Sequence, residues 1–132
     1  MIRREAIFGN LFRHWLMANP RFSSAFELKQ TTGTSLPFSA VPDHQLDALR
    51  AANNNGLLYK APDDSAGVKP FDYFYLRNAP AYVVIRYRGF FVLIAIETFL
   101  HEKKMSKRKS LTGSRAKEIS TVTVLLDKKQ VG

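Results

Sequence analysis

The chain has 132 residues, 45% of them hydrophobic, which suits one domain with its own core and excludes a disordered polymer. Twenty Lys and Arg against eleven Asp and Glu give a formal net charge of +9 and a pI near 10.0, so a polyanionic partner is expected. The absence of cysteine excludes disulfides and thiolate metal sites, and three scattered histidines (His14, His44, His101) argue against a zinc cluster.

Mean hydropathy is −0.19 and the apolar runs are short, so no membrane span is expected. Glu5, Asn10, Arg13 and His14 interrupt the N-terminal apolar residues, which argues against a signal peptide and is compatible with an intracellular, cytoplasmic location. A membrane surface is the rival polyanion. The basic residues are spread through the chain rather than gathered on one amphipathic helix, which favours nucleic acid.

In chain order, Ile2, Glu5, Phe8, Phe12, Trp15 and Leu16 follow three- and four-residue steps, predicting a helix from residue 2 to about 18 that Asn19-Pro20 stops. Glu5 falls in line with the apolar stripe. It either complements the helix dipole or needs a cation, metal or capping amides. A strand is predicted at Phe26–Lys29, then a loop from Gln30 to Ser39. Pro42 or Asp43 opens a second helix whose apolar face carries Leu46, Leu49 and the alanines, and Asn53-Asn54-Asn55-Gly56 ends it.

Leu57–Lys60, Phe71–Leu76, Tyr82–Tyr87 and Phe90–Ile96 read as strands. A turn-rich loop from Pro62 to Gly67 separates the first two, and Arg88-Gly89 joins the last two as a hairpin. The continuous run Phe90–Ile96 suggests burial on both faces. Thr98 caps a short helix through Lys104, Ser106–Lys109 is a basic exposed stretch, Ser114–Ile119 is one or two helical turns, and Thr121–Leu126 is a last strand. There is no internal repeat or interdomain linker, so residues 1–132 form a single domain.

Among possible chemical groups, Glu27-Leu28-Lys29 stands out. Strand alternation projects Glu27 and Lys29 to one face, while Phe26 and Leu28 point to the other. A carboxylate beside an ammonium provides an oxygen ligand for a hard divalent cation and a group that polarises water or a scissile phosphate. The same spacing at Glu102-Lys103-Lys104 and Asp127-Lys128-Lys129 lies in charge runs read as solvated surface. Asp43 and Asp47 suit a helix start, and Asp63, Asp64 and Glu118 are solubilising. Asp72 is expected half-buried on an aromatic strand beside Phe74 and Leu76, where a carboxylate needs a bond, an ion pair or a metal. No nucleophilic triad and no phosphate-binding glycine loop is present. Aromatic and basic residues alternate at Tyr82–Arg88, a pattern read as core before base stacking.

Phe26-Glu27-Leu28-Lys29, then Thr34-Ser35-Leu36-Pro37-Phe38, then His44-Gln45 opening a helix, resembles the RecU-type Holliday junction resolvases of the PD-(D/E)xK nuclease superfamily. The likeness is close over residues 25–52 and looser over Tyr82–Phe99. It implies a restriction-endonuclease-like α/β fold, a mixed β-sheet flanked by helices. It also implies a Mg²⁺-dependent endonuclease, with Mn²⁺ as a substitute, that resolves branched DNA as a homodimer. An N-terminal helix bearing a glutamate is shared with the family, which brings Glu5 to the metal.

One element of the family pattern is displaced. The first metal-binding acid belongs on a strand before E-x-K, and here only Asn19 to Ala25 lie there, without an acid. An insert from Leu57 to Leu76 follows the second helix instead and carries Asp72. The expectation is that Asp72 reaches the site from a strand lying against Phe26–Lys29, within one cation's bridge of Glu27. Asp72, Glu27, the Leu28 carbonyl and Glu5 would then hold the metal, with Lys29 orienting the attacking water. DNA contacts are expected from Arg3, Arg4, Gln30, Thr31, Thr34, Ser35, Gln45 and Lys69, and from the footprint Lys103, Lys104, Lys107, Arg108 and Lys109. The compact, rearranged form suits a virus-encoded protein acting inside a host cell. Rival readings are a nuclease for other DNA ends or forks, a non-catalytic DNA-binding protein on the same fold, and a small basic RNA-associated protein.

Overall fold

The computed structural model of the chain describes residues 4–22, 24–62 and 69–127. Its elements are α1 (Arg4–Ala18), β1 (Ala25–Gln30), β2 (Ser35–Pro37), a 3₁₀ turn (Phe38–Ala40), α2 (Asp43–Asn53), β3 (Leu57–Lys60), β4 (Tyr73–Leu76), β5 (Ala81–Tyr87), β6 (Phe90–Ala95), α3 (Ile96–Met105), β7 (Ser110–Thr112), α4 (Gly113–Ile119) and β8 (Val122–Leu125). No helix among the described residues is long and apolar enough to cross a membrane.

The main sheet has the order β1-β5-β6-β8. β1 and β5 run parallel, and β6 is antiparallel to both β5 and β8, so the sheet is mixed. β5 and β6 are its centre. Val83, Val84, Ile85, Phe91, Val92, Leu93 and Ile94 are all fully buried, as expected for strands covered on both faces. Gly89, at φ +86°, closes the Arg88-Gly89 turn between them.

Two clusters divide the core between the faces. On one face Val84, Phe91 and Leu93 meet Phe8 and Phe12 of α1, and on the other Val83, Ile85, Val92 and Ile94 meet Leu46, Leu49 and Phe99 from α2 and α3. The result is a three-layer helix–sheet–helix arrangement. Helices α2 and α3 lie antiparallel, tied by Lys103–Asp43 at 3.6 Å at one end and Arg50–Glu97 at 3.5 Å at the other. Arg115 binds α4 to α3 through two hydrogen bonds to Glu102, at 2.9 and 3.0 Å, and also bonds Glu118. That guanidinium holds the Glu102 carboxyl below the usual carboxylate range, against the opposing effect of partial burial.

Several boundaries differ from the expectation. The run Phe90–Ile96 ends as strand at Ala95, because Ile96 already begins α3. Thr98 therefore sits inside that helix and caps nothing. The expected loop from Gln30 to Ser39 contains β2, which pairs antiparallel with β7 as Leu36 faces Leu111. Thr112 caps α4, accepting from the Arg115 N–H at 3.2 Å. Strands β3 and β4 pair only with each other, in a separate two-stranded sheet. Leu58, Tyr59, Tyr73 and Tyr75 on this small sheet remain exposed. The hairpin is anchored at Gly56, whose φ of +121° and contact with the Tyr75 ring leave no room for a side chain.

Phe91 is the point on which α1 seats, with its ring 5.8 Å from Phe8, 5.9 Å from Phe12 and 5.6 Å from Trp15. Phe91→Ala is expected to cost about 3–5 kcal/mol in urea unfolding. A loss below about 1 kcal/mol would mean that α1 does not depend on this contact.

Candidate active site

β1 is the end strand of the main sheet, so one of its edges pairs with no strand among the described residues. Its register against β5 sets Glu27 beside Val83, Leu28 beside Val84 and Lys29 beside Ile85. Val83 and Ile85 belong to the α2 face, and Val84 to the α1 face. Glu27 and Lys29 therefore project together toward the α2 side, as expected from alternation. Phe26 and Leu28 turn to the α1 side, where the Phe26 ring lies 5.0 Å from Phe12 and stacks 5.8 Å from Tyr82.

The two charged groups meet. Lys29 Nζ is 3.5 Å from Glu27 Oε1, with side chains 22% and 28% exposed, so both are mostly covered yet reachable from solvent. The backbone adds a further oxygen. The Ala25 N–H donates to Pro80 O and the Thr31 N–H to Arg86 O, which fixes the phase of the ladder at both ends of β1. Backbone groups alternate sides along a strand, so Glu27 and Lys29 share that phase and the Leu28 carbonyl points to the open edge. A carboxylate, an adjacent carbonyl and an ammonium therefore share one edge. These are the oxygen donors that a hard cation such as Mg²⁺ accepts, and it keeps waters in its remaining positions.

Asp72 is placed differently from the expectation. It precedes β4 instead of lying within a buried strand, and its carboxylate is 75% exposed and pairs with Lys69 Nζ at 3.3 Å. The strand lying against β1 is β5, and β4 pairs with β3 in a separate sheet. Among the described residues, no three His, Asp or Glu side chains converge as a ready-made metal cluster. Arg3 lies outside the described residues, and of Arg4 and Glu5 only the backbone, in α1, is described.

The other expected DNA contacts fall into three groups. Thr31 and Thr34 hold the loop that follows β1: Thr31 Oγ1 donates to Ser35 O at 3.1 Å, and Thr34 O accepts from the Gly113 N–H at 2.8 Å. Gln30 ends β1, with Ser35 starting β2. The Gln45 amide oxygen is buried without a hydrogen-bond partner among the described residues, so it faces no DNA there. Lys103 is engaged by Asp43, while Lys104, Lys107, Arg108 and Lys109 are exposed around the end of α3. Arg88 and Lys117 were not singled out by the sequence. One sits in a hairpin turn and the other in a short helix, and only tertiary packing brings them near Arg108.

Compared with known protein families and with curated proteins, the chain matches none.

An ion pair that solvent still reaches contributes little to folding. Glu27→Gln and Lys29→Met should each change stability by less than about 1 kcal/mol in denaturant titrations. A much larger loss would mark the pair as a structural bridge.

Proposed function

We propose that the chain is a Mg²⁺-dependent endonuclease acting on branched DNA, of the RecU-type Holliday junction resolvase kind within the PD-(D/E)xK superfamily. The observation that carries this reading is the Glu27–Lys29 pair, 3.5 Å apart and reachable from solvent beside the Leu28 carbonyl on an edge strand. The surrounding order supports it: a helix, the E-x-K strand, a helical crossover and a parallel partner strand, with helices on both faces. The net charge of +9 suits a DNA polyanion.

In this mechanism Glu27 and the Leu28 carbonyl would hold the cation, which would supply Lewis-acid stabilisation of the phosphate and of the leaving oxygen. Mn²⁺ would serve in its place. Lys29 orients the attacking water and offsets negative charge that grows on the phosphate. Glu27 in turn keeps the Lys29 ammonium directed along the strand edge. Asp72 is proposed as the second acid on the sequence argument, against its pairing with Lys69 in the free chain. Symmetric cuts across a junction call for a homodimer with two equivalent sites. That same Lys69–Asp72 pairing favours a second reading, a DNA-binding protein that keeps the fold without cleaving.

The test uses a labelled four-way junction, a linear duplex and a single strand, each with and without Mg²⁺. Paired nicks in the junction that require Mg²⁺ are expected. Glu27→Gln and Lys29→Met should lower cleavage by about 10²-fold or more with junction binding retained. Asp72→Asn should also lose cleavage, and full activity in that variant would leave Asp72 as the partner of Lys69 alone. Absence of metal-dependent cleavage on every substrate would favour the non-catalytic reading.

A further inference from the structure

Beyond the end of β1, on the same side of the sheet as Glu27 and Lys29, the surface opens into a cleft of about 510 Å³. Alternation sets its position. Val83 and Ile85 stand beside Glu27 and Lys29, and Tyr87, two residues further along β5 on that face, forms part of the cleft wall. Gly33 and Thr34, in the loop that leaves β1, form another part. Gly33 follows Lys29 by four positions, at most ~14 Å of extended chain. With one phosphate per ~3.4 Å of each strand, that reach corresponds to about four nucleotides.

The lining has a definite chemistry. Arg88 comes from the β5–β6 turn, Arg108 from the segment before β7, and Lys117 from α4. Among the described residues no carboxylate lines the cleft, and no ion pair engages any of these three cations. This contrasts with Lys29, Arg50, Lys69, Lys103 and Arg115, each of which has an acidic partner. Thr34 and Ser114 add hydroxyl groups. Lys117 Nζ lies 4.2 Å from the centre of the Phe90 ring, which positions its ammonium without neutralising it.

The wall behind these groups is firm. Phe90 stacks on Tyr87 at 5.3 Å, and the Tyr87 hydroxyl donates to Leu111 O at 2.9 Å. Converging cations with hydroxyl donors on a rigid wall, free of acids, suit a phosphodiester backbone: point charges hold the phosphate and no group reads a base.

We infer that the cleft between Arg88, Arg108 and Lys117 is a phosphate-backbone site that holds a DNA arm a few nucleotides from the Glu27–Lys29 pair. The inference rests on the proposal that DNA is the partner, and it assigns to Arg88 and Lys117 the role of positioning the strand. Binding at this site needs no metal. Each phosphate contact contributes to affinity through counterion release, and each lost contact reduces the salt dependence.

The experiment measures anisotropy of a labelled duplex in EDTA across a salt series, for the wild type, Arg88→Ala, Lys117→Ala, the double variant and Lys117→Arg. Arg13→Ala, on an exposed residue of α1 across the sheet from the cleft, serves as control. The slope of log affinity against log salt should shrink by about 1 in each single alanine variant and about 2 in the double variant. Lys117→Arg should keep the wild-type slope and Arg13→Ala should change it less than the cleft variants do. Thermal melts in the same buffers identify any variant that has lost its fold, and the Arg88→Ala turn variant then stands in for one on α4.

Unchanged affinity and slope in a folded double variant would overturn the inference. So would calorimetric binding of inorganic phosphate that the double variant abolishes while duplex binding stays intact, because the cleft would then take a free anion. The nuclease reading fails separately. Loss of metal-free binding in the cleft variants of a protein that never cleaves leaves this site standing, whereas Glu27-dependent cleavage with unaltered cleft variants removes the site and leaves the nuclease.

Discussion

The parallel pairing of β1 with β5 is the constraint on which the rest of the molecule depends. Two parallel neighbours cannot be joined by a tight turn, so the chain between them must cross over the sheet, and α2 makes that crossing. The crossing covers the face that carries Val83 and Ile85 and leaves β1 as an edge. It also means that one six-residue strand has two tasks. Phe26 and Leu28 close the core under α1, while Glu27 and Lys29 emerge on the opposite face beside an open backbone edge. A slip of one residue in register would bury both charges under α1 and expose both hydrophobic side chains, so the packing that stabilises the strand also fixes the orientation of the pair.

Much of this was legible in the sequence, and for identifiable reasons. Phe8, Phe12 and Trp15 recur at helical steps, and Phe90 to Ala95 is apolar throughout, so α1 and the central strand were readable from local pattern alone. Glu27 and Lys29 were readable because strand alternation leaves little freedom. β2 and β7 were not, because each is three residues long and is defined only by a partner far away in the chain. Asp72 misled for a related reason. Its aromatic neighbours suggested a buried strand, but β3 and β4 satisfy each other and stand clear of the main sheet, so their rings and the carboxylate stay exposed. The cleft was invisible because Arg88, Arg108 and Lys117 lie on three separate elements.

The distribution of charge separates structural work from surface available to a partner. Arg50, Lys103 and Arg115 tie helices together through acids, and Arg115 does so with a fork between Glu102 and Glu118. Arg88 in the β5–β6 turn and Lys107, Arg108 and Lys109 after α3 are instead exposed, with no ion pair among the described residues.

The central claim is that the edge of β1 is where a divalent cation meets the chain. It is tested most directly by paramagnetic broadening of backbone amide signals in the DNA-free protein, with Mn²⁺ added at a small fraction of the protein concentration. Selective loss of the Glu27, Leu28 and Lys29 signals, abolished in Glu27→Gln, is the result this account predicts. Broadening centred on other acids, such as Asp127 or Glu118, with β1 unaffected would contradict it.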